Sequence, residues 1–597
     1  MVEGPMSQPA NGPSAPPPSP VDGGLRSLFV VRSAPRRWPS GVRAAVCMGA
    51  PVLVGWLVGD LTAGLLATLG AFTALYGSGR PYFNRAGLLA VIALSLSAAV
   101  GLGIWAAAIT WVGVLTVAAI ASIATLLCNA LDVGPPGAYQ FALVCAIGTG
   151  LYGQHHDPVL IALLALAGGA FAWLVHMTGA LLGPRRPEKS AVAAVGVAVA
   201  DYIDAVGTDR QDDARHRAAQ AIHNAWTTVV GRQPRHIRVS STVRRLQDLN
   251  VQLSVLFADA IRCASTNTAV NPQAAAAARS LSRQAWARPG SGEASPAGRV
   301  LLARPSRWVL LKQDLQPGSR SRVVVARVAV ATVLAGTVGG LLGLQHAYWA
   351  MAAAVVLLHQ GLDHRRTIQR CLQRLLGTWL GLGLAAAVIA AHPHALWLVA
   401  AILVLNFLVE VTVVRNYTLA VVFITAVALL IATEGRSNID PGAMLLARGL
   451  DTAVGCAVAI TVFLLMPTGV ATWLPTAMAD AVDAVTTTIG YLSPAQIATP
   501  AARAARRDLQ RCALRLHQSF DNAINGSPTQ RKAAEQAWPA MAATQQLIYR
   551  TIAECWRLEG ISSGDDTEAQ PPGPTADPRP LLTAMAQSLR AGDTPPS

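Results

Sequence analysis

The sequence predicts an all-α integral membrane protein of about twelve transmembrane helices, in two six-helix repeats with two cytoplasmic helical modules. Composition is the first reason: of 597 residues, 52% are hydrophobic and only 13% are charged, whereas soluble domains carry about 25% charged residues. The second is that the apolar residues form membrane-length runs without the period-two alternation of barrel strands. The third is an internal repeat of two apolar blocks, each followed by a polar, helix-like stretch.

The repeat is visible in corresponding residues of the two blocks. Arg43 opens the first block and Arg327 opens the second, while Pro184 and Pro467 close them at nearly the same spacing. Further correspondences lie inside the blocks, where Asn129, Asp132 and Tyr139 answer Asn406, Glu410 and Tyr417. Because each block holds an even number of spans, we expect parallel repeats that enter the membrane from the same side.

The element order follows from hydropathy and composition. Residues 1–40 are rich in Pro, Ser and Gly and lack a signal-peptide core, which predicts a disordered cytoplasmic tail. The first transmembrane block occupies 41–183, with spans near 43–59, 61–78, 86–108, 111–131, 138–153 and 158–182. A cytoplasmic helical module and linker occupy 184–322, with the linker expected after Asn271.

The second half repeats this order. Its transmembrane block occupies 323–467, with spans near 323–343, 346–361, 375–391, 395–410, 416–434 and 441–466. A second cytoplasmic helical module is expected over 468–560, because leucines and isoleucines recur there at helical spacing. The Pro- and Asp-rich residues 561–597 predict a disordered tail.

The distribution of basic residues predicts the orientation. With the amino terminus inside, the inner segments hold Arg26, Arg32, Arg36, Arg37, Arg80, Arg85, Arg185, Arg186, Lys189, Arg365, Arg366, Arg370 and Arg374. The outer loops hold Asp60, Asp157, Glu434 and Asp440, with Arg436 as their basic residue. This asymmetry predicts a multi-pass protein of the inner (plasma) membrane with both termini in the cytoplasm.

Several functional classes are disfavoured. The net charge of +15 is not arranged as a basic stripe interleaved with aromatic residues, so nucleic acid is not an expected partner. The eight cysteines contain no C-x-x-C, and the histidines at 155–156, 392 and 394 lack further clustered ligands, so no metal is expected. No G-x-x-x-x-G-K-[ST] or H-E-x-x-H is present, which predicts neither an enzyme nor a bound cofactor.

The densest local pattern lies at the start of the third span of the second block, Arg370-Cys-Leu-Gln-Arg374-Leu-Leu-Gly377-Thr378-Trp-Leu-Gly381. In a helix these named positions share one face. Gly377 and Gly381 form a G-x-x-x-G, which allows a neighbouring helix to approach closely. The two arginines either anchor the topology or form a basic vestibule that concentrates anions, and both interpretations stay open.

This pattern resembles the signature of the fusaric acid resistance-like family, also described as aromatic acid exporters. Two further stretches fit, Arg415-Asn416-Tyr417-Thr418 with the apolar run to Thr425, and Arg448-Gly-Leu-Asp451-Thr452-Ala-Val-Gly455. The resemblance covers both blocks and the polar stretches, but its motifs are clearest in the second block. It implies efflux of aromatic or amphipathic carboxylates across the inner membrane, without fixing the substrate.

Four charged residues complete the candidate site. Arg448 and Asp451 are three residues apart and can meet on one helix face, as a structural ion pair, a gate or a contact to a substrate carboxylate. Glu410 and Asp132 lie near the cytoplasmic ends of their spans. A half-buried carboxylate there is a candidate for proton coupling, and a solvated helix end is the alternative.

The predicted function is secondary efflux of organic anions such as aromatic carboxylic acids, driven by a proton gradient. An anion channel is one alternative, and a non-transporting membrane scaffold for envelope assembly is another. The expected partners are a small organic anion and the lipid bilayer, and the sequence leaves open a homo-oligomer or an accessory efflux subunit.

Overall fold

A computed structural model describes residues 30–31, 37–152, 157–233, 240–266, 268–287, 307–316, 319–344, 346–361, 363–391, 396–433, 441–466, 470–562, 580, 583–584 and 587. The predicted disordered tails lie almost wholly outside these residues. The outer-loop residues Glu434, Arg436 and Asp440 and the loop histidines at 155–156, 392 and 394 also lie outside them. Throughout the described residues the regular structure is helical, so the all-α class is confirmed.

The first half begins with six apolar helices: α1 (Trp38–Val58), α2 (Leu61–Ala71), α3 (Tyr82–Ala106), α4 (Thr110–Ala130), α5 (Tyr139–Leu151) and α6 (Pro158–Leu182). A 3₁₀ turn (Phe72–Leu75) extends α2. The polar stretch that follows contains α7 (Arg186–Ala205), α8 (Gln211–Trp226), a π turn (Thr227–Gly231), α9 (Ser241–Thr266), α10 (Ala274–Gln284) and α11 (Arg307–Leu315).

The second half has the same order. Its apolar helices are α12 (Arg320–Leu341), α13 (Tyr348–Leu358), α14 (His364–Ala390), α15 (Leu396–Thr412), α16 (Tyr417–Thr433) and α17 (Pro441–Leu465). Three helices follow: α18 (Val470–Ile489), α19 (Pro500–Ile524) and α20 (Pro528–Ser562). Each predicted span therefore coincides with one apolar helix.

Helix length separates the apolar helices into two groups. Seven described helices are long and apolar enough to cross a membrane, namely α1, α3, α4, α6, α12, α14 and α17. Five shorter apolar segments are α5, α13, α15, α16 and the combination of α2 with its 3₁₀ turn. The structure thus shows a membrane protein with seven candidate spans, and the crossing of the shorter helices stays a prediction.

One predicted boundary was clearly wrong. The third span of the second block was expected to begin at residue 375, but α14 begins at His364. Asp363 caps this helix by accepting a hydrogen bond from the Arg366 backbone N–H at 2.8 Å. Hydropathy marks the apolar part of a helix, so it missed the basic turns that continue the same helix beyond it.

The chain divides into two compact units, one of which contains both apolar blocks. Within this unit α1 packs on α15 of the other block, and α4 packs on α12. Glycines allow these approaches: Gly41 lies against Phe407, and Gly336 lies against Val114. The first helix of each block thus packs on the fourth helix of the other, as expected of two repeats related by an approximate two-fold exchange.

The second unit combines residues 185–304 with residues 469–597. Its aromatic core draws on both polar stretches, because Phe257 of α9 contacts Tyr202 of α7 and Tyr549 of α20, with ring centroids 5.3 and 6.2 Å apart. The polar stretches, which the sequence presented as two modules, therefore share one hydrophobic core.

The linker predicted after Asn271 contains a helix instead. Ser282 of α10 donates a hydrogen bond to the Ala193 carbonyl of α7 at 2.8 Å, and the prediction was wrong over residues 274–284. This helix begins with five consecutive alanines, and alanine has the highest helix propensity of any residue type.

A histidine pair joins the two polar stretches within this unit. The rings of His216 on α8 and His517 on α19 stack with their centroids 3.5 Å apart. Burial, followed by the proximity of His517, lowers the pKa of His216 to about 4. His216 is therefore neutral near pH 7, and the contact holds without a charge on its ring.

Candidate functional site

Two buried arginines define the candidate site. Arg374 of α14 and Arg448 of α17 are 1% and 2% exposed, and each lies within electrostatic range of the other. Buried charges within membrane helices are costly and usually face a protein interior or a water-filled path. The two helices pack against each other, so the sequence-predicted residues at 374 and 448 do come together.

Arg448 lies on an aromatic surface supplied by α13. Its guanidinium carbon is 3.5 Å from the ring centroid of Trp349. The side chains of Tyr348 and Tyr139 are also close enough to interact electrostatically with Arg448. Within the described part of the chain, Nε and Nη1 of Arg448 have no hydrogen-bond partner. This contact places the guanidinium group over the Trp349 ring, while Nε and Nη1 remain available as donors.

Asp451 is fully buried one turn further along α17. Neither of its carboxylate oxygens has a hydrogen-bond partner among the described residues. Arg448 is its electrostatic neighbour, but the described residues include no ion pair between the two. The three-residue spacing of Arg448 and Asp451 allowed an ion pair, but the two side chains do not form one in this structure.

Arg374 lies among tyrosines contributed by both blocks. Tyr139 begins α5 and Tyr417 begins α16, and both are electrostatic neighbours of Arg374. These are the two tyrosines that correspond in the repeat. Arg370, one turn before Arg374, is half-buried, with its guanidinium carbon 4.3 Å from the Tyr417 ring centroid.

The small residues of α14 make the close helix contact that their spacing predicts. A methyl group on Gly377 would lie 2.6 Å from the Thr418 carbonyl oxygen, and one on Gly381 would lie 2.7 Å from the Val422 carbonyl oxygen. Both carbonyls belong to α16. Thr378 between them is 1% exposed, and its hydroxyl has no partner in the described structure.

The two candidate proton-coupling carboxylates differ in burial. Glu410 is 14% exposed and lies 3.3 Å from Nη2 of Arg37. Asp132 is exposed, with a left-handed backbone (φ 46°). Glu410 is thus the more buried of the two carboxylates.

Sequence reasoning missed the aromatic partners of the arginines on α13. Tyr348 and Trp349 lie far from Arg448 in the chain, and no regular spacing links them to it. Their adjacency at the start of a short apolar helix was the available signal, because Tyr and Trp are costly to bury without a role for their polar atoms. For metal binding, the described residues contain no group of three or more His, Cys, Asp or Glu side chains suitably placed.

Comparisons with known proteins agree with this architecture. The sequence model of the fusaric acid resistance protein-like family matches residues 333–462. The chain is 26% identical over 560 residues to a protein of Bacillus subtilis (strain 168) described as "Uncharacterized membrane protein YvaC", covering 89% of this chain and 87% of that one. No solved structure matches the chain. The chain is thus a multi-pass membrane protein, distantly homologous to that Bacillus protein, whose second apolar block carries a fusaric acid resistance protein-like domain.

Proposed function

We propose that the protein is a secondary exporter of organic anions such as aromatic carboxylic acids across the cytoplasmic membrane. The observation that carries this proposal is the buried Arg448 guanidinium, stacked on Trp349 with unpartnered donors. The resemblance to the fusaric acid resistance protein-like family supports transport in preference to catalysis.

The chemistry of the site suits a carboxylate attached to an aromatic ring. A guanidinium group donates two parallel hydrogen bonds to a carboxylate, and these bonds gain strength where water is excluded. Trp349, Tyr139 and Tyr417 supply aromatic surface beside the two arginines. Arg370, nearer the start of α14, would attract the anion toward the buried pair.

The proposal includes a membrane arrangement. All twelve apolar helices would cross, with both termini in the cytoplasm, because the basic residues assign every even crossing to that side. The charged and aromatic residues draw on both blocks, as do the substrate sites of transporters built from repeats.

Glu410 is the proposed proton-linked carboxylate. Its ion pair with Arg37 lies where α1 of the first block packs on α15 of the second. Protonation of Glu410 would remove this ion pair and loosen one contact between the blocks. A proton gradient would thereby act on the contact between the two blocks, and transport requires these blocks to move relative to each other.

Reconstitution tests the function directly. We expect liposomes that contain the purified protein to transport a labelled aromatic carboxylate such as benzoate. Transport of the uncharged amide benzamide should be slower. Arg448→Lys keeps the charge but loses the planar fork, so we expect transport to fall at least about tenfold.

Arg217→Lys serves as the matched control, because Arg217 is exposed in the polar unit. Absence of transport by the parent protein would favour the scaffold function. Currents in planar bilayers that ignore a proton gradient would favour a channel. Equal transport by Arg448→Lys and the parent would show that Arg448 does not bind the substrate carboxylate.

A further inference from the structure

We propose that Asp451 sets the charge of the accepted anion, so that the site takes monoanionic aromatic carboxylates and rejects dianionic ones. This inference rests on the proposed export function and deepens it. It assigns Asp451 a role in specificity instead of a role in holding Arg448.

The charges buried at the site leave one positive charge in excess. Arg374 and Arg448 are positively charged, and Asp451 in its carboxylate form supplies one negative charge; all three are buried. Arg370 lies half-buried one turn toward the start of α14 and contacts Tyr417, so it belongs to the approach and not to this set. One excess positive charge matches one carboxylate.

The unpartnered atoms show that this set is not closed on itself. Buried polar atoms in folded proteins nearly always have partners, so unpartnered ones indicate a bound water, ion or ligand. Within the described residues, Nε of Arg374, Nε and Nη1 of Arg448 and both oxygens of Asp451 have none. Arg448 therefore keeps donors for an external carboxylate, while Asp451 stays close enough to act on its charge.

A second carboxylate on the ligand would meet the field of Asp451. The aromatic side chains beside the arginines favour placing the ring of the ligand among them. In a protein interior of effective dielectric constant about 20, repulsion between two like charges about 10 Å apart lowers the affinity for the ligand by more than about tenfold. Arg374 would not offset this repulsion in full, because the first carboxylate already neutralises the excess positive charge of the site.

A pair of ligands with the same ring tests the inference on the unmodified protein. Isophthalate carries two carboxylates, and its monomethyl ester carries one on a ring of the same substitution. In proteoliposomes we expect the monoester to inhibit benzoate transport at a concentration at least about tenfold lower than isophthalate. Equal inhibition by the two ligands would overturn the inference and leave the export function intact.

Neutralising Asp451 should reverse the preference. Asp451→Asn raises the excess to two positive charges, so we expect the discrimination against isophthalate to shrink at least about tenfold relative to the parent. Asp201→Asn, which removes an exposed carboxylate of the polar unit, should keep the preference of the parent. Unchanged discrimination in Asp451→Asn would show that another group excludes dianions.

Two further outcomes separate the possible failures. If the parent transports neither benzoate nor the monoester, the export function itself fails, and the inference falls with it. If Asp451→Asn does not fold, Asp451→Ser provides a second neutral variant, and the ligand pair on the parent decides the question without either variant.

Discussion

The buried arginines of the membrane unit fall into two kinds, and hydrogen bonding separates them. Arg327 opens the second block, and its position in the sequence is compatible with simple snorkelling toward the membrane surface. The structure instead buries it to 4% exposure, with Nε donating to the Met466 carbonyl at 2.9 Å and Nη2 donating to the Phe463 carbonyl at 3.3 Å. Arg327 is thus committed to the end of α17, whereas Arg448 keeps donors without partners.

This difference predicts that Arg327 affects stability. Arg327→Gln should lower the free energy of unfolding by about 1–3 kcal/mol, because the last carbonyls of α17 lose a charged donor. Thermal unfolding in detergent measures the change. Arg322→Gln on the same helix is the control, since Arg322 is exposed. Equal melting temperatures for the two variants would show that the Arg327 cap contributes nothing to stability.

Hydropathy predicted the apolar helices because each of them must bury an apolar surface in lipid or protein, and this requirement acts locally. The start of α14 and the existence of α10 escaped it, because both depend on capping and helix propensity in polar sequence. The pairing of α1 with α15, and of α13 with Arg448 on α17, depends on the matching of distant side chains. Arg374 and Arg448 were therefore predictable from two short motifs of the second block, but their aromatic partners were not.

The contact between α14 and α16 was predictable and gives a sharp steric test. Gly377→Leu or Gly381→Leu should reduce accumulation or melting temperature, with a cost of about 1–3 kcal/mol or more, because backbone of α16 occupies the space for the side chain. Gly383→Leu on the same helix is the matched control, since no atom lies within 4 Å of the added Cβ. Similar accumulation and melting of all three variants would place this face of α14 against lipid.

The repeat organises the membrane unit, but the chemistry is distributed unequally between its halves. Both blocks contain six apolar helices in the same order, and the first helix of each block packs against the fourth helix of the other. The charged residues Arg374, Arg448 and Asp451 all come from the second block, whereas the first contributes Tyr139. The second block also carries the family match, over residues 333–462.

This organisation predicts that both blocks enter the membrane from the cytoplasm, which places Arg185, Lys312 and the carboxyl-terminal tail inside. Two single cysteine substitutions test it: Ala108→Cys in the turn between α3 and α4, and Lys312→Cys in α11, both at exposed positions. A membrane-impermeant maleimide applied to intact cells should label Ala108→Cys above the background of the parent. It should label Lys312→Cys only after the cells are permeabilised.

The parent chain gives the baseline from its eight native cysteines, of which the described structure buries six. Labelling of Lys312→Cys from outside intact cells would mean that the segment between the blocks faces outward. The first block would then contain an odd number of crossings, and the parallel-repeat arrangement would fail.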